Sequence, residues 1–244
     1  MKSRCIIPVL ILISIQGCFH FGDELYTSTA SRHYSTWSES DAFNIIATSM
    51  SNNFINPSQI IVKVNATGYF PMTIFAIQRR AQITNHWDEP TFRAETDALL
   101  EKSLGVYYDW EGNRFMDAKG SFITNAFQID TIEFMVSLMN MEFPLALHDI
   151  PLNQLEERIL LVNEQGYKIR PIYVSGRIQE KLRMQEVYFV RYALRGMDGR
   201  HLFEKSRMMK LELRDFPEGL IELYFPVEKL FTPTHESVML GVGN

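Results

Sequence analysis

The feature that most constrains this chain is strict apolar alternation through its C-terminal half. Ile132, Phe134, Val136 and Leu138 recur every second residue, as do Tyr188, Val190, Tyr192 and Leu194. Met209, Leu211 and Leu213 alternate with Lys210, Glu212 and Arg214, and Ile221, Leu223, Phe225 and Val227 repeat the pattern. A period of two places one set of side chains on each face of a strand. Shorter runs at Ile159–Val162 and Ile169–Val174 complete the series. Turn formers separate the segments, at Asn163–Gly166 and Gly196–Gly199. From about residue 122 onward the pattern therefore predicts strands only, folded as an antiparallel β-sandwich.

The preceding region mixes periods. Ser40 reads as a helix N-cap, and Phe43, Ile46, Ala47 and Met50 follow at helical spacing, predicting a helix over 41–52. Two strands are expected between 58 and 84, one in the β-branched run Ile60–Val64 and one at Thr73–Ile77. Asp88 suits the cap of a second helix with Pro90 in its first turn, Phe92, Leu99, Leu100 and Leu104 on its apolar side, and Gly105 as its stop. A short hairpin is expected around Glu111-Gly112-Asn113. The fold class is thus mainly β with a few helices. An α+β region spans 39–120 and a β-sandwich 121–231. The strand spacing of the latter resembles that of immunoglobulin-like domains of envelope proteins, although no Cys…Trp…Cys set accompanies it.

The amino terminus carries an address. Lys2 and Arg4 precede an apolar run, Ile6–Ile15, of about ten residues, which is signal-peptide length and short of the roughly 20 a spanning helix needs. Ile15-Gln16-Gly17-Cys18 resembles the lipobox of bacterial lipoproteins: an aliphatic residue, a small residue before the cysteine, then the cysteine, with Gln16 where a smaller residue is usual. The resemblance covers residues 1–18. It implies cleavage between Gly17 and Cys18, a diacylglycerol on the Cys18 sulfur and an acyl chain, commonly palmitate, on its amine. Multiple chains give stable anchoring. Residues 1–17 are then a signal peptide and 18–38 a lipidated tether, with 232–244 a loose tail. Phe19 in place of Asp favours the outer membrane over the inner.

Charge and cysteine usage narrow the function further. The chain has 24 basic and 29 acidic residues, a net charge of −5, and loss of Lys2 and Arg4 on cleavage makes the mature form more acidic still. A nucleic-acid partner is therefore not expected, since it calls for a basic surface. The two cysteines, Cys5 and Cys18, both lie in the first eighteen residues, so Cys18 is the mature chain's only thiol and its role is attachment.

Motifs for chemistry are sparse. His20, His33, His86, His148, His201 and His235 show no metal-ligand spacing and no HExxH. G-x-S-x-G and glycine-rich phosphate loops are absent, and no cofactor is expected. The one oxygen-rich cluster is Asp109, Glu111, Asn113 and Asp117, which loosely follows a calcium loop but places Gly112 two positions early and lacks the closing glutamate. Asp130 and Glu133 sit three apart on an alternating strand and so face opposite ways. Met135, Met139 and Met141 form a soft second face, read first as packing. The expected function is that of a membrane-anchored envelope lipoprotein acting as a non-enzymatic binding or scaffold protein toward a protein partner. Alternatives are an apolar-ligand carrier or sensor, and a hydrolase with a dispersed site.

Overall fold

The computed structural model describes residues 32–48, 50–55, 62–140, 152–175, 178–180, 185–216 and 219–227. The signal peptide, Cys18, His20, His148, His235, Met141 and the 232–244 tail lie outside the described residues. Residues 32–38, read as the end of the tether, hold a 3-10 turn (Tyr34–Thr36) and bury Tyr34 and Trp37 in the core.

The first helix, α1, is Glu39–Thr48. It starts earlier than Ser40 suggests because Ser38 is the cap. The Asp41 amide donates to Ser38 Oγ (3.1 Å) and the Ser38 amide to Asp41 Oδ2 (3.0 Å), a reciprocal box. It also stops sooner, and Ser51–Ile55 forms strand β1. Strand β2 follows at Val62–Tyr69. The strand expected at Thr73–Ile77 lies instead in a helix, α2 (Pro71–Asn85). Pro71 sits in its first turn, where a missing N–H costs nothing. Residues 71–76 are buried all round, so no polar face reveals the helical period.

Helix α3 (Glu89–Leu104) follows the reading from its ends. Asp88 Oδ1 accepts from the Thr91 amide at 2.9 Å, and Gly105 takes the left-handed conformation (φ 63) that closes the helix. Strands β3 (Tyr107–Asp109) and β4 (Arg114–Met116) form the expected hairpin. After β5 (Thr131–Asn140) the chain departs from strands only. Helix α4 (Leu152–Arg158) runs directly into β6 (Ile159–Asn163). It has seven residues and buries Leu155, too little apolar periodicity to be read from sequence. The remaining strands are β7 (Lys168–Ile169), β8 (Tyr173–Val174), β9 (Ile178–Glu180), β10 (Gln185–Ala193), β11 (Met208–Phe216) and β12 (Gly219–Pro226).

Apart from the β3–β4 hairpin, two antiparallel sheets organise these strands. One runs β1-β2-β5-β10-β8, with β9 also on β10; the other runs β12-β11-β6-β7. Register places Gly68, Phe134 and Val190 in one row and Leu161, Leu211 and Leu223 in another. These apolar faces meet: the Phe134 and Phe225 rings lie 5.1 Å apart, and Tyr192 donates its hydroxyl to the Ile159 carbonyl at 2.9 Å. Gly68 lets the Phe70 and Phe134 rings approach closely, since a Cβ there would sit 3.0 Å from the Phe70 ring and 3.3 Å from that of Phe134. The fold is mainly β with a few helices. The boundary expected at residue 120 falls between β2 and β5, which pair along the whole of β2. Alternation marks strands; it does not say which strands pair.

Candidate binding cleft

The face of the six-stranded sheet turned away from the second sheet carries the built site. Tyr69 on β2, Glu133 on β5, Arg191 on β10 and Tyr173 on β8 stand directly opposite one another, making a row across four strands. Helix α3 packs over the row at Glu133, where Ser103 donates to Glu133 Oε1 (3.0 Å) and Thr131 donates to the Ser103 carbonyl (3.3 Å). Arg191 grips the other carboxylate oxygen with Nη2 at 2.8 Å and Nε at 3.2 Å. Glu133 is nearly inaccessible, with its side chain 4% exposed, and Arg191 remains 18% exposed. A carboxylate with no partner is not tolerated at such burial. Here both oxygens are engaged, which leaves Glu133 as a fixed charge pair and not a free base.

Beside the row lies a cleft of about 220 Å³ lined by Tyr69, Ile77, Leu99, Lys102, Glu133, Tyr173, Ser175 and Phe189. Tyr69 and Phe189 stand 6.2 Å apart, and the Arg191 guanidinium lies 5.3 Å from the Tyr173 ring. Burial, and then the Glu133 charge, push the Tyr69 hydroxyl well above its ordinary pKa, so it stays neutral. Ser175 Oγ accepts from the Phe189 amide at 2.8 Å. The result is an aromatic notch with charge at its edge. Small-molecule sites span about 300–1,000 Å³, so this volume suits one large side chain better than a lipid or a drug-sized ligand.

The oxygen cluster read from sequence is used locally. Asp109 Oδ1 accepts from the Glu111 and Gly112 amides (3.1 and 3.0 Å), and Asp117 Oδ1 from those of Lys119 and Ser121 (2.9 and 2.8 Å). These are Asx turns. Asn113 takes φ 55, and its Oδ1 lies 3.3 Å from His33 Nε2. Gly112 is packed against Asp109, whose Oδ2 would lie 2.3 Å from an added Cβ. Among the described residues, no three His, Cys, Asp or Glu side chains converge as metal ligands. Asp130 pairs with Arg195 while Glu133 pairs with Arg191, so those two carboxylates do not act together. Met135 is half-buried on the same face as Glu133.

Among the described histidines, His33 and His201 make local contacts. His33 Nδ1 lies 2.7 Å from Ser35 Oγ, with Asn113 on the other ring nitrogen, but this trio caps a 3-10 turn and contains no acid. Burial, then Arg195, lower the His201 pKa to about 4, and its Nδ1 accepts from the Phe203 amide at 3.3 Å. The Tyr69–Glu133–Arg191–Tyr173 row escaped sequence reading because it exists only once β2, β5, β10 and β8 are paired. Its one sequence signal was Glu133 beside Met135 on a face otherwise free of charge.

No family model matches the sequence, and no curated protein matches it. Among solved structures, it is similar to one from Burkholderia pseudomallei K96243 described as a novel protein of unknown function. The TM-score is 0.43 and the identity 11%, over 78% of this chain and 84% of that one.

Proposed function

We propose that this chain is an envelope lipoprotein, attached through Cys18, that works without catalysis by receiving an apolar side chain of a protein partner. The Ile15-Gln16-Gly17-Cys18 lipobox supports the anchor and Phe19 supports the outer membrane. The observation that carries the binding reading is the cleft, about 220 Å³ with Tyr69, Tyr173 and Phe189 in its wall. Aromatic walls give large contact area at low entropic cost, which is typical of the energetic centre of protein interfaces. An immunoglobulin-like character for the strand region belongs to the same proposal. It is supported by two antiparallel sheets meeting through alternating apolar faces, the architecture of many adhesive and scaffold modules.

A photo-crosslinking residue at Tyr173, which is 42% exposed, tests the binding reading in intact cells, with Met197 as a control at a fully exposed turn. A discrete adduct is expected from position 173 and not from 197. Leu99→Trp, which fills the cleft, is expected to abolish it. An adduct that forms equally at both positions, or survives L99W, would sink the cleft as the docking point. The anchor is tested separately by palmitate labelling beside Cys18→Ala; label that persists in the variant overturns it.

A further inference from the structure

A second site lies on the outward face of the four-stranded sheet. Helix α4, the start of β6, β7 and the end of β11 enclose a groove of about 680 Å³. Leu160, 6% exposed, is among its lining residues, with Arg158, Lys168, Arg170 and Arg214 set against two acids, Glu157 and Asp215. This local excess of positive charge sits on a chain of net charge −5. Screening over about 8 Å at physiological salt makes the groove's own charges decide what enters it.

The four cations are not equally committed. Arg214 is held by Glu212, and Arg170 meets Glu157 at 3.4 Å in an exposed pair. Arg158 donates to the Asp215 carbonyl (3.0 Å) and to Gln154 Oε1 (3.3 Å), so it is positioned but has no carboxylate partner among the described residues. Lys168 likewise forms no ion pair there. The groove's lining carries four positive and two negative charges, so a net positive charge remains to attract an anion, and an arginine and a lysine are donors that a phosphate takes. Glu157 and Asp215 repel a polyphosphate or nucleic acid, yet with Gln154 they offer hydrogen-bond partners to hydroxyl groups. The volume lies within the range of small-ligand sites.

We propose that this groove binds a phosphorylated sugar, with Arg158 and Lys168 on the phosphate and Glu157, Asp215 and Gln154 on the hydroxyls. The proposal is independent of the aromatic cleft and of the anchor. The sugar phosphate has two sources, a free metabolite or the headgroup of a glycolipid.

The test is calorimetric titration of the full-length chain in a nonionic detergent with glucose 6-phosphate, glucose, and mixed micelles carrying monophosphoryl lipid A. A phosphate-bearing probe is expected to bind and glucose to fail. Losing one charge-assisted contact weakens binding by about tenfold. Lys168→Gln tests this without disturbing a hydrogen bond of the fold, and Arg158→Gln is read only if its thermal midpoint is retained. Lys119→Gln, at a turn far along the chain, is expected to leave affinity unchanged. Binding to glucose 6-phosphate assigns the free source and binding to lipid A micelles alone the glycolipid; either supports the site when Lys168→Gln weakens it. The proposal is overturned if neither phosphate probe binds, or if Lys119→Gln weakens binding as much as Lys168→Gln.

Discussion

Glu133 and Glu212 occupy equivalent places in the two sheets. Each stands mid-strand on the face turned away from the shared core, and each is nearly inaccessible, at 3% and 5% exposure. Their surroundings differ. Glu133 has Arg191 from the neighbouring strand and the Ser103 hydroxyl from the helix above it. Glu212 has two cations from its own strand, Lys210 at 2.8 Å and Arg214, and Lys210 also reaches Glu222 at 2.6 Å. A face closed by a helix carries one pair, every polar atom of whose carboxylate is engaged. A face left more open carries a ladder, because its cations keep part of their hydration: Lys210 is 23% and Arg214 32% exposed. Burying charge is costly, and the cover over a face sets how much it can hold.

The largest expected effect follows from Glu133 having Arg191 as its one counter-ion among the described residues. Arg191→Met leaves a buried carboxylate without a counter-ion and should cost about 3–5 kcal/mol in urea unfolding. Adding Glu133→Gln to that variant should recover most of the loss, since the charge is gone and the amide still accepts from Ser103. If the double variant is no more stable than Arg191→Met, the helix-covered face does not depend on charge pairing.

His201 sharpens the same point, as a buried titratable group beside Arg195 and with Asp130 near. Burial, then Arg195, hold its pKa near 4 against 6.5 when unfolded. The unfolded chain therefore takes up a proton that the folded chain refuses. Stability is complete above pH 6.5 and falls as pH drops toward 4, by on the order of 3 kcal/mol. Unfolding midpoints of wild type and His201→Gln over that window check it; a slope unchanged in the variant would assign the loss elsewhere.

Much of the scaffold was legible in sequence. The inward residues of β5, β10, β11 and β12 were read correctly because a strand with one buried face advertises it every second residue. The caps at Asp88 and Gly105 carried α3. Helix α2 was not legible, because Thr73–Ile77 is apolar on every side and an all-buried helix resembles a strand over five residues. The candidate sites were hidden for another reason. Tyr69 and Arg191 lie more than a hundred residues apart, and only strand pairing through β5 brings them into one row. The groove at Arg158 and Lys168 depends on α4, a seven-residue helix too short to show a period.

The smallest effects belong to the open face, and they test whether its ladder is redundant. Lys210→Met removes one of two cations from Glu212 and should cost about 1 kcal/mol, well under Arg191→Met, because Arg214 remains. The pH profile locates the same contacts. Burial opposes ionisation of Glu212, but hydrogen bonds from Lys210 and Arg214 outweigh it and hold its carboxyl below the usual range; those from Lys210 and Tyr224 do so for Glu222. That stability is present above pH 4.5 and lost as pH falls further. Hydrogen bonds to Glu212 and Glu222 raise the Lys210 pKa, so its contribution is complete below pH 10.5 and is lost above it. Both limbs should shrink in Lys210→Met. Raising salt from 0.1 to 1 M should remove about 0.5 kcal/mol of the Lys210–Glu222 coupling in a double-mutant cycle, and less of the Arg191–Glu133 coupling, since Glu222 is a third exposed and Glu133 nearly inaccessible. Equal salt sensitivity in the two cycles would mean that the helix above Glu133 does not exclude solvent, and the contrast between the two faces would fail.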